Sequence, residues 1–509
     1  MANGLICLFL YHISTEVLLV EIEKLEVSDL DFKHQADIST PEECVSGDYT
    51  LELEGKEPKR VLSGFTAMMI VVASMVGTGI FTTTGILLEQ TPSPHAVLVA
   101  WLIGGGLAFF GALSYAELVA MYPRNGGEYQ ILSRIFHPAV GFVAGWISLI
   151  VGFSAPIASA AMAFSKYFNH FLANVAVTQE MTVQPINEFW AAFIVLIIFS
   201  VIHAVNVKYG GYVQGILTLI KILIVSGFVV GGMFLGDFSR LSAPMPIESS
   251  TGSLLSLSPA FAVGLIFVTY AYTGWNGSVY IAGEIKNPTK AMPKALALGT
   301  GLVTLIYLGL NVIFLISAPL EELTGKVEIG AIAATALFGT GMGTIFSLII
   351  SMLLLSSLSA MVMTGPRIYQ SMGEDYPILK LLTNRKGGSG PYLAIGLQAL
   401  IATAMLISAE FDELIMYMGF TLSITSALTV IGVFVMRKKA PKAMRPYKCW
   451  GYPYTPILFI LLSLWMIIFS FIQTPTVAFV GLGTVLSGFL IYYCVKPKKG
   501  SHTKTKETP

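Results

Sequence analysis

Between about residues 62 and 495 the chain alternates long apolar blocks with short polar punctuation. Such a pattern belongs to a polypeptide that crosses a bilayer many times, since each crossing needs a run of roughly 20 apolar residues. Twelve runs can be drawn, near 62–88, 95–121, 136–163, 188–206, 211–235, 259–283, 294–317, 343–366, 391–409, 412–436, 453–473 and 475–495. Backbone polar groups in hydrocarbon must be satisfied within their own segment, so each run is expected to be a helix. The stretch after the seventh run, 320–339, is long enough for a short re-entrant or surface helix.

Composition agrees with this reading. Of the 509 residues, 54% are hydrophobic and 12% charged, whereas a soluble chain carries about twice that charge. Mean hydropathy is +0.73. The formal net charge of zero argues against nucleic acid as a partner. Cys7, Cys44, Cys449 and Cys494 show no metal or redox spacing. No nucleophile elbow, P-loop or zinc-helix motif is present, so neither an enzyme nor a cofactor nor a metal is expected.

Lysine and arginine set the orientation. With the N-terminus inside, all but four of the 30 fall on the inner side; Lys166, Arg240 and Lys326 lie outside, and Lys221 stays in the membrane. This asymmetry predicts a multi-pass protein of the cell (inner) membrane with both termini cytoplasmic. Residues 1–55 hold twelve of the 30 carboxylates against only Lys24 and Lys33, the composition of an acidic, mostly disordered tail. Residues 496–509 form a basic tail. Glu117 and Glu284, toward the inner ends of spans 2 and 6, are expected to bridge loop cations such as Arg124 or Lys286. His203, near the end of span 4, reads as a satisfied core histidine.

Two spans are interrupted. Span 1 carries Gly77-Thr78-Gly79 at its middle, followed by Thr82, Thr83 and Thr84. Each glycine costs a helix about 1 kcal/mol, and unwound backbone at membrane depth is tolerated only where it lines a cavity. Span 6 repeats the theme with Thr273-Gly274-Trp275-Asn276-Gly277-Ser278. Small-residue packing of helices would need only Gly-x-x-x-Gly. Glycine-interrupted spans at corresponding places in two five-helix halves point instead to an inverted-repeat secondary transporter. A broken helix offers N–H groups and partial positive charge at one end, which suits a carboxylate, and carbonyls at the other, which suit an ammonium. A molecule bearing both groups on one carbon is an α-amino acid.

Several motifs then resemble the amino acid–polyamine–organocation (APC) superfamily of transporters. Met75-Val76-Gly77-Thr78-Gly79-Ile80-Phe81 resembles its span 1 break. Ser114-Tyr115-Ala116-Glu117-Leu118 with Pro123-Arg124-Asn125-Gly126-Gly127-Glu128-Tyr129 is similar to its signature at the exit of span 2. Glu284-Ile285-Lys286-Asn287-Pro288 with Pro293 resembles its loop after span 6, and Arg367 with Met372-Gly373-Glu374-Asp375-Tyr376-Pro377 its segment after span 8, the last with altered order. The run from Tyr270 to Asn276 looks most like the L-amino-acid and cationic-amino-acid branches. The resemblance implies an all-α fold of twelve transmembrane helices, a five-plus-five inverted repeat of the LeuT-like kind with helices 1 and 6 broken. The twelve-helix domain would cover 56–495, with repeats at about 62–235 and 259–436 and extra helices over 453–495. It implies substrate contacts from Val76, Gly77, Thr78, Gly79 and Ile80 and from Tyr270, Ala271, Thr273, Trp275 and Asn276, with Tyr270 as outer gate. The Gly77 to Ile80 backbone would take the carboxylate, and the backbone near Tyr270, Ala271 and Thr273 the amino group. Eukaryotic exchangers of this branch use a cysteine after span 3 to bind a heavy chain. Residues 164–187 contain none, so no disulfide-linked partner is expected.

Lys221 lies inside an uncharged run, ten residues or more from either end of span 5. At roughly 15 Å of helix it is too deep for its side chain to snorkel out, and a charge there costs about 2.5–3.5 kcal/mol. The sodium-independent branches resemble this chain at Thr218-Leu219-Ile220-Lys221, which implies an ammonium reaching an emptied cation position near Gly77. Proton coupling and a fixed surrogate for sodium are its two uses. No carboxylate lies mid-membrane near the breaks, which favours neutral substrates over cationic ones. Ser154, Ala155, Ser159 and Ala160 of span 3, with Ser356, Ser357 and Ser359 of span 8, are candidates to shape the side-chain pocket. The reading is a sodium-independent carrier of neutral L-amino acids, with proton symport ahead of exchange. An amino acid/amine antiporter, suggested by the resemblance at Ser278 to Gly283, and a non-transporting amino acid sensor stand behind it.

Overall fold

The computed structural model of the chain describes residues 60–178, 186–205, 210–242, 259–383 and 391–495. The tails expected at 1–55 and 496–509 lie outside the described residues. Within them the chain is helical apart from turns and two isolated bridges, Leu62 with Ile285 and Asn125 with Ile281. Span 1 is split into α1 (Gly64–Met75) and α2 (Thr78–Gln90), and span 2 is α3 (Pro94–Met121). A short helix, α4 (Glu128–Ile135), leads into span 3, which runs through α5 (Pro138–Ile147), a π-helical turn at Ser148–Ser154 and α6 (Ala155–Thr178). Spans 4 and 5 are α7 (Glu188–Val205) and α8 (Gly210–Leu235). Span 6 begins as α9 (Pro259–Ala271), and α10 (Pro288–Ser317) is span 7. Two short helices, α11 (Leu320–Leu323) and α12 (Ile329–Phe338), fill the stretch expected to hold a surface helix. The remaining elements are α13 (Thr340–Thr364), α14 (Pro366–Asp375), α15 (Tyr392–Ser408), α16 (Phe411–Lys439), α17 (Tyr454–Gln473) and α18 (Pro475–Val495).

Among the described residues, ten helical stretches are long and apolar enough to cross a membrane. Spans 6 and 9 fall short as unbroken helices, Phe261–Ala271 because it unwinds mid-span and Tyr392–Ser408 because it has only 17 residues. Span 3 ends at Thr178 rather than near 163. Its polar residues Ser165, Lys166, Asn169 and His170 lower the hydropathy without stopping a helix, since neither glycine nor proline intervenes. Lys166 is therefore helical rather than in a loop.

The packing centres on α3 against α10 and α6 against α13, with α1 and α9 enclosed among them. Large apolar side chains such as Phe234, Leu305 and Leu490 point outward, as expected of a surface whose solvent is lipid.

The two inner-end glutamates find other partners than expected. Glu117, fully buried, is held by Arg437 of α16 at 3.0 and 2.6 Å and by Arg445 at 3.3 Å, and also accepts the Cys449 N–H at 2.7 Å. Glu284 pairs with Arg367 of α14 at 3.1 Å and accepts from Asn125 at 3.3 Å. The nearest cations in sequence lose to arginines that folding brings closer, and at Glu117 the bidentate grip of Arg437 helps repay burial of the carboxylate. His203 is buried, with Nε2 lying 2.8 Å from Ser359 Oγ.

Candidate substrate site

The unwound stretch of span 1 is Val76 and Gly77, with Thr78 and Gly79 already in the first turn of α2. Gly79 is there for a close approach. A Cβ at this position would lie 2.3 Å from Ala271 Cα, so α2 meets the end of α9 backbone to backbone. Span 6 stops being α-helical after Ala271, turns through Gly274 at φ +96°, and resumes as 3-10 turns at Gly277–Tyr280 and Ala282–Glu284. That positive φ suits glycine, and an added Cβ would also meet the Ser74 carbonyl at 2.6 Å. The two breaks are thus in direct contact.

A small pocket lies between them. Span 1 contributes Ser74, Met75, Gly77, Thr78 and Gly79, and span 6 contributes Tyr270, Ala271 and Thr273. Pro156 and Ala160 of α6 and Ser357 and Met361 of α13 close the sides. None of these residues is charged. The first turn of α2 presents N–H groups that no preceding turn can accept, and the end of α9 presents carbonyls in the same position of need. Tyr270, buried, lies across the pocket with its hydroxyl 2.5 Å from Thr78 Oγ1 and 3.0 Å from Ser159 Oγ. Tyr307 of α10 joins the breaks from behind: its hydroxyl donates to the Met75 carbonyl at 2.5 Å and lies 3.1 Å from that of Ala271.

Beside the pocket sits Lys221 of α8, wholly buried. Its ammonium donates to the Val76 carbonyl at 2.8 Å and to Ser357 Oγ at 2.8 Å, joining spans 1, 5 and 8. Among the described residues no ion pair includes it. A buried cation without a carboxylate needs acceptors, and the unwound backbone provides one.

The sequence pattern of the family described as amino acid permease matches residues 62–495. The chain belongs to that family. The permease is 29% identical over 449 residues to the serine/threonine exchanger SteT of Bacillus subtilis, covering 87% of this chain and 98% of that protein. It is 29% identical over 456 residues to the human b(0,+)-type amino acid transporter 1, covering 87% and 90%. With the rat large neutral amino acids transporter small subunit 2 it shares 26% over 440 residues, covering 86% and 80%. The APC resemblance is borne out, and the protein is a multi-pass amino acid transporter rather than an enzyme.

Of the ten residues expected to touch substrate, Gly77, Thr78, Gly79, Tyr270, Ala271 and Thr273 line the pocket of the permease. Val76 adjoins it with its carbonyl on Lys221. Ile80 is buried in the core cluster instead. Trp275 and Asn276 lie past the turn at Gly274 and face elsewhere. Trp275 meets Tyr115 edge-on, with 4.6 Å between ring centroids, and Asn276 Nδ2 donates to Glu128 Oε1 at 3.1 Å. Among the small candidates of span 3 and the polar ones of span 8, Ala160 and Ser357 line the pocket, Ser159 lies against the Tyr270 hydroxyl, and Ser359 against His203. Sequence reasoning passed over Tyr307 and Glu128. A tyrosine in an otherwise apolar stretch of span 7 is a signal for the first, since a buried phenol wants a partner. Glu128 gave none, because it reads as part of a loop.

Proposed function

We propose that the permease carries neutral L-amino acids without sodium, by alternating access, with proton symport as its coupling. The observation that supports this most is the pair of bonds from Lys221 to Val76 and Ser357. They join the Lys221 side chain to spans 1 and 8 at the unwound backbone, where a coupling cation would have to bind. In this reading the carboxylate of the substrate lies on the N–H groups of Gly77 to Ile80. Its amino group lies on the carbonyls at the end of α9, and Tyr270 closes over it as the outer gate. That no carboxylate lines the pocket supports neutral side chains, because a cationic one would be desolvated without a counter-ion. Trp275 and Asn276 then act at the rim of the moving break rather than on the substrate. The lysine and arginine distribution supports the cell membrane with both termini cytoplasmic. The lack of a cysteine in 164–187 supports a carrier without a disulfide-linked partner chain.

Exchange is the second reading, favoured by the likeness to the serine/threonine exchanger. Proteoliposome uptake of a labelled neutral amino acid separates the two. Uptake driven by an inward proton gradient into empty vesicles supports symport; uptake only into vesicles preloaded with amino acid supports exchange. Binding without uptake would refute both and leave a sensor.

A further inference from the structure

Glu128 is the first residue of α4, between spans 2 and 3, and is only 3% exposed. A carboxylate that deep normally faces a cation, yet among the described residues none pairs with it. Neutral donors surround it instead. The Tyr115 hydroxyl of α3 donates to Oε1 at 2.5 Å, and Asn276 Nδ2 donates to the same oxygen at 3.1 Å. Thr425 and Ser426 of α16 lie near the carboxylate and favour its charged form. Spans 2, 6 and 10 and the α4 connection therefore meet on one acidic side chain, and Asn276 belongs to the span 6 break itself.

The titratable groups that face Glu128 are the phenols of Tyr115 and, past Asn276, Tyr280. Charged groups on the surrounding elements are engaged elsewhere. Arg437 and Arg445 hold Glu117, Arg367 holds Glu284, and Asp375 accepts from Tyr129. Arg134, further along α4, lies over the Tyr122 ring with Arg124 near it. Burial pushes the Glu128 carboxyl above the usual carboxylate range, and the donors around it offset only part of that.

We propose that Glu128 is a proton-binding site that ties proton uptake to movement of the span 6 break. Ionised, its Oε1 accepts from Tyr115 and Asn276 together and fixes the segment after Gly274 against α3. Protonated, the carboxyl keeps less acceptor capacity and becomes a donor, and the charge-assisted bond from Asn276 is lost. The segment is then free to swing. One O–H bond forms as the contact opens and breaks as it closes, the proton coming from water and returning to it. This rests on the transport reading above and assigns its proton to Glu128, leaving Lys221 as the fixed cation.

Full-length protein is titrated by infrared difference spectroscopy beside Glu128→Gln, and both are reconstituted for counterflow of labelled L-serine and L-leucine. The expected result is a protonated-carboxyl band that titrates above the ordinary carboxylate range and is missing in the variant. Wild-type flux should rise as pH falls through that titration, while Glu128→Gln stays at the acid-side rate at every pH. Tyr115→Phe keeps the ring and removes one donor from the charged form. It should move the midpoint to higher pH by about one unit, and it carries the test if Glu128→Gln does not fold. A carboxyl band unchanged in Glu128→Gln, a retained pH profile in that variant, or an unmoved midpoint in Tyr115→Phe overturns the proposal. A band that titrates as expected in a protein that moves no amino acid would instead sink the transport reading.

Discussion

Gly79→Ala adds one methyl group where the two breaks touch. Its Cβ would lie 2.3 Å from Ala271 Cα, 2.5 Å from Ala271 Cβ and 3.2 Å from Ala271 N. Carbon atoms settle at about 3.5–4.0 Å, so α2 and α9 must part by roughly 1.2 Å or more. Ala271 Cα is backbone and cannot rotate aside. The cost should therefore fall near the top of the usual range for overpacking, about 3 kcal/mol. If the touching arrangement is the one that grips substrate, that cost appears as about a hundredfold loss of affinity.

Equilibrium binding of labelled amino acid to purified protein reads the effect, with size-exclusion profiles to confirm folding. Gly106→Ala is the control, since a Cβ there meets nothing within 4 Å and should be neutral or slightly stabilising in a helix. Wild-type affinity in Gly79→Ala would refute the placement of the site between the breaks. An equal loss in Gly106→Ala would show a general sensitivity of the bundle and refute the local argument.

Other outcomes follow from the same geometry. Lys221→Met keeps the reach of the side chain but removes both bonds to Val76 and Ser357; it should fold and lose coupled uptake, and unchanged uptake across pH would make the lysine a bystander. Tyr270→Phe removes the hydroxyl shared with Thr78 and Ser159, worth about 1 kcal/mol, so affinity should drop roughly fivefold; no change would remove that hydroxyl from pocket closure. Glu117→Gln leaves Arg437 and Arg445 facing a neutral amide, and a broken buried pair costs about 3–5 kcal/mol; a melting temperature in detergent equal to wild type would contradict the clamp.

Sequence made the two breaks legible because closely spaced glycines with polar neighbours recur at corresponding places in spans 1 and 6. It made Lys221 legible because a charge in an apolar run is costly. The partners were harder to read. Gly77, Thr78 and Gly79 mark the interruption, but only the fold shows that the helix stops at Met75 and that Val76 turns its carbonyl to the lysine. Glu117 finds Arg437 across 320 positions of chain, a pairing that depends on how spans 2 and 10 lean together and leaves no local trace. Trp275 and Asn276 adjoin pocket residues in sequence yet turn away, since one residue at positive φ reverses the chain. Glu128 sits in a Gly-Gly-Glu-Tyr stretch that reads as solvated loop, and its burial comes from elements far along the chain.

Under the proposed function, a resident ammonium at the span 1 break stands in for a coupling sodium ion. Initial-rate uptake of a labelled neutral amino acid into proteoliposomes, in sodium medium and in sodium-free choline medium, tests it most directly. Equal rates in both are expected. Uptake that appears only with sodium would contradict it.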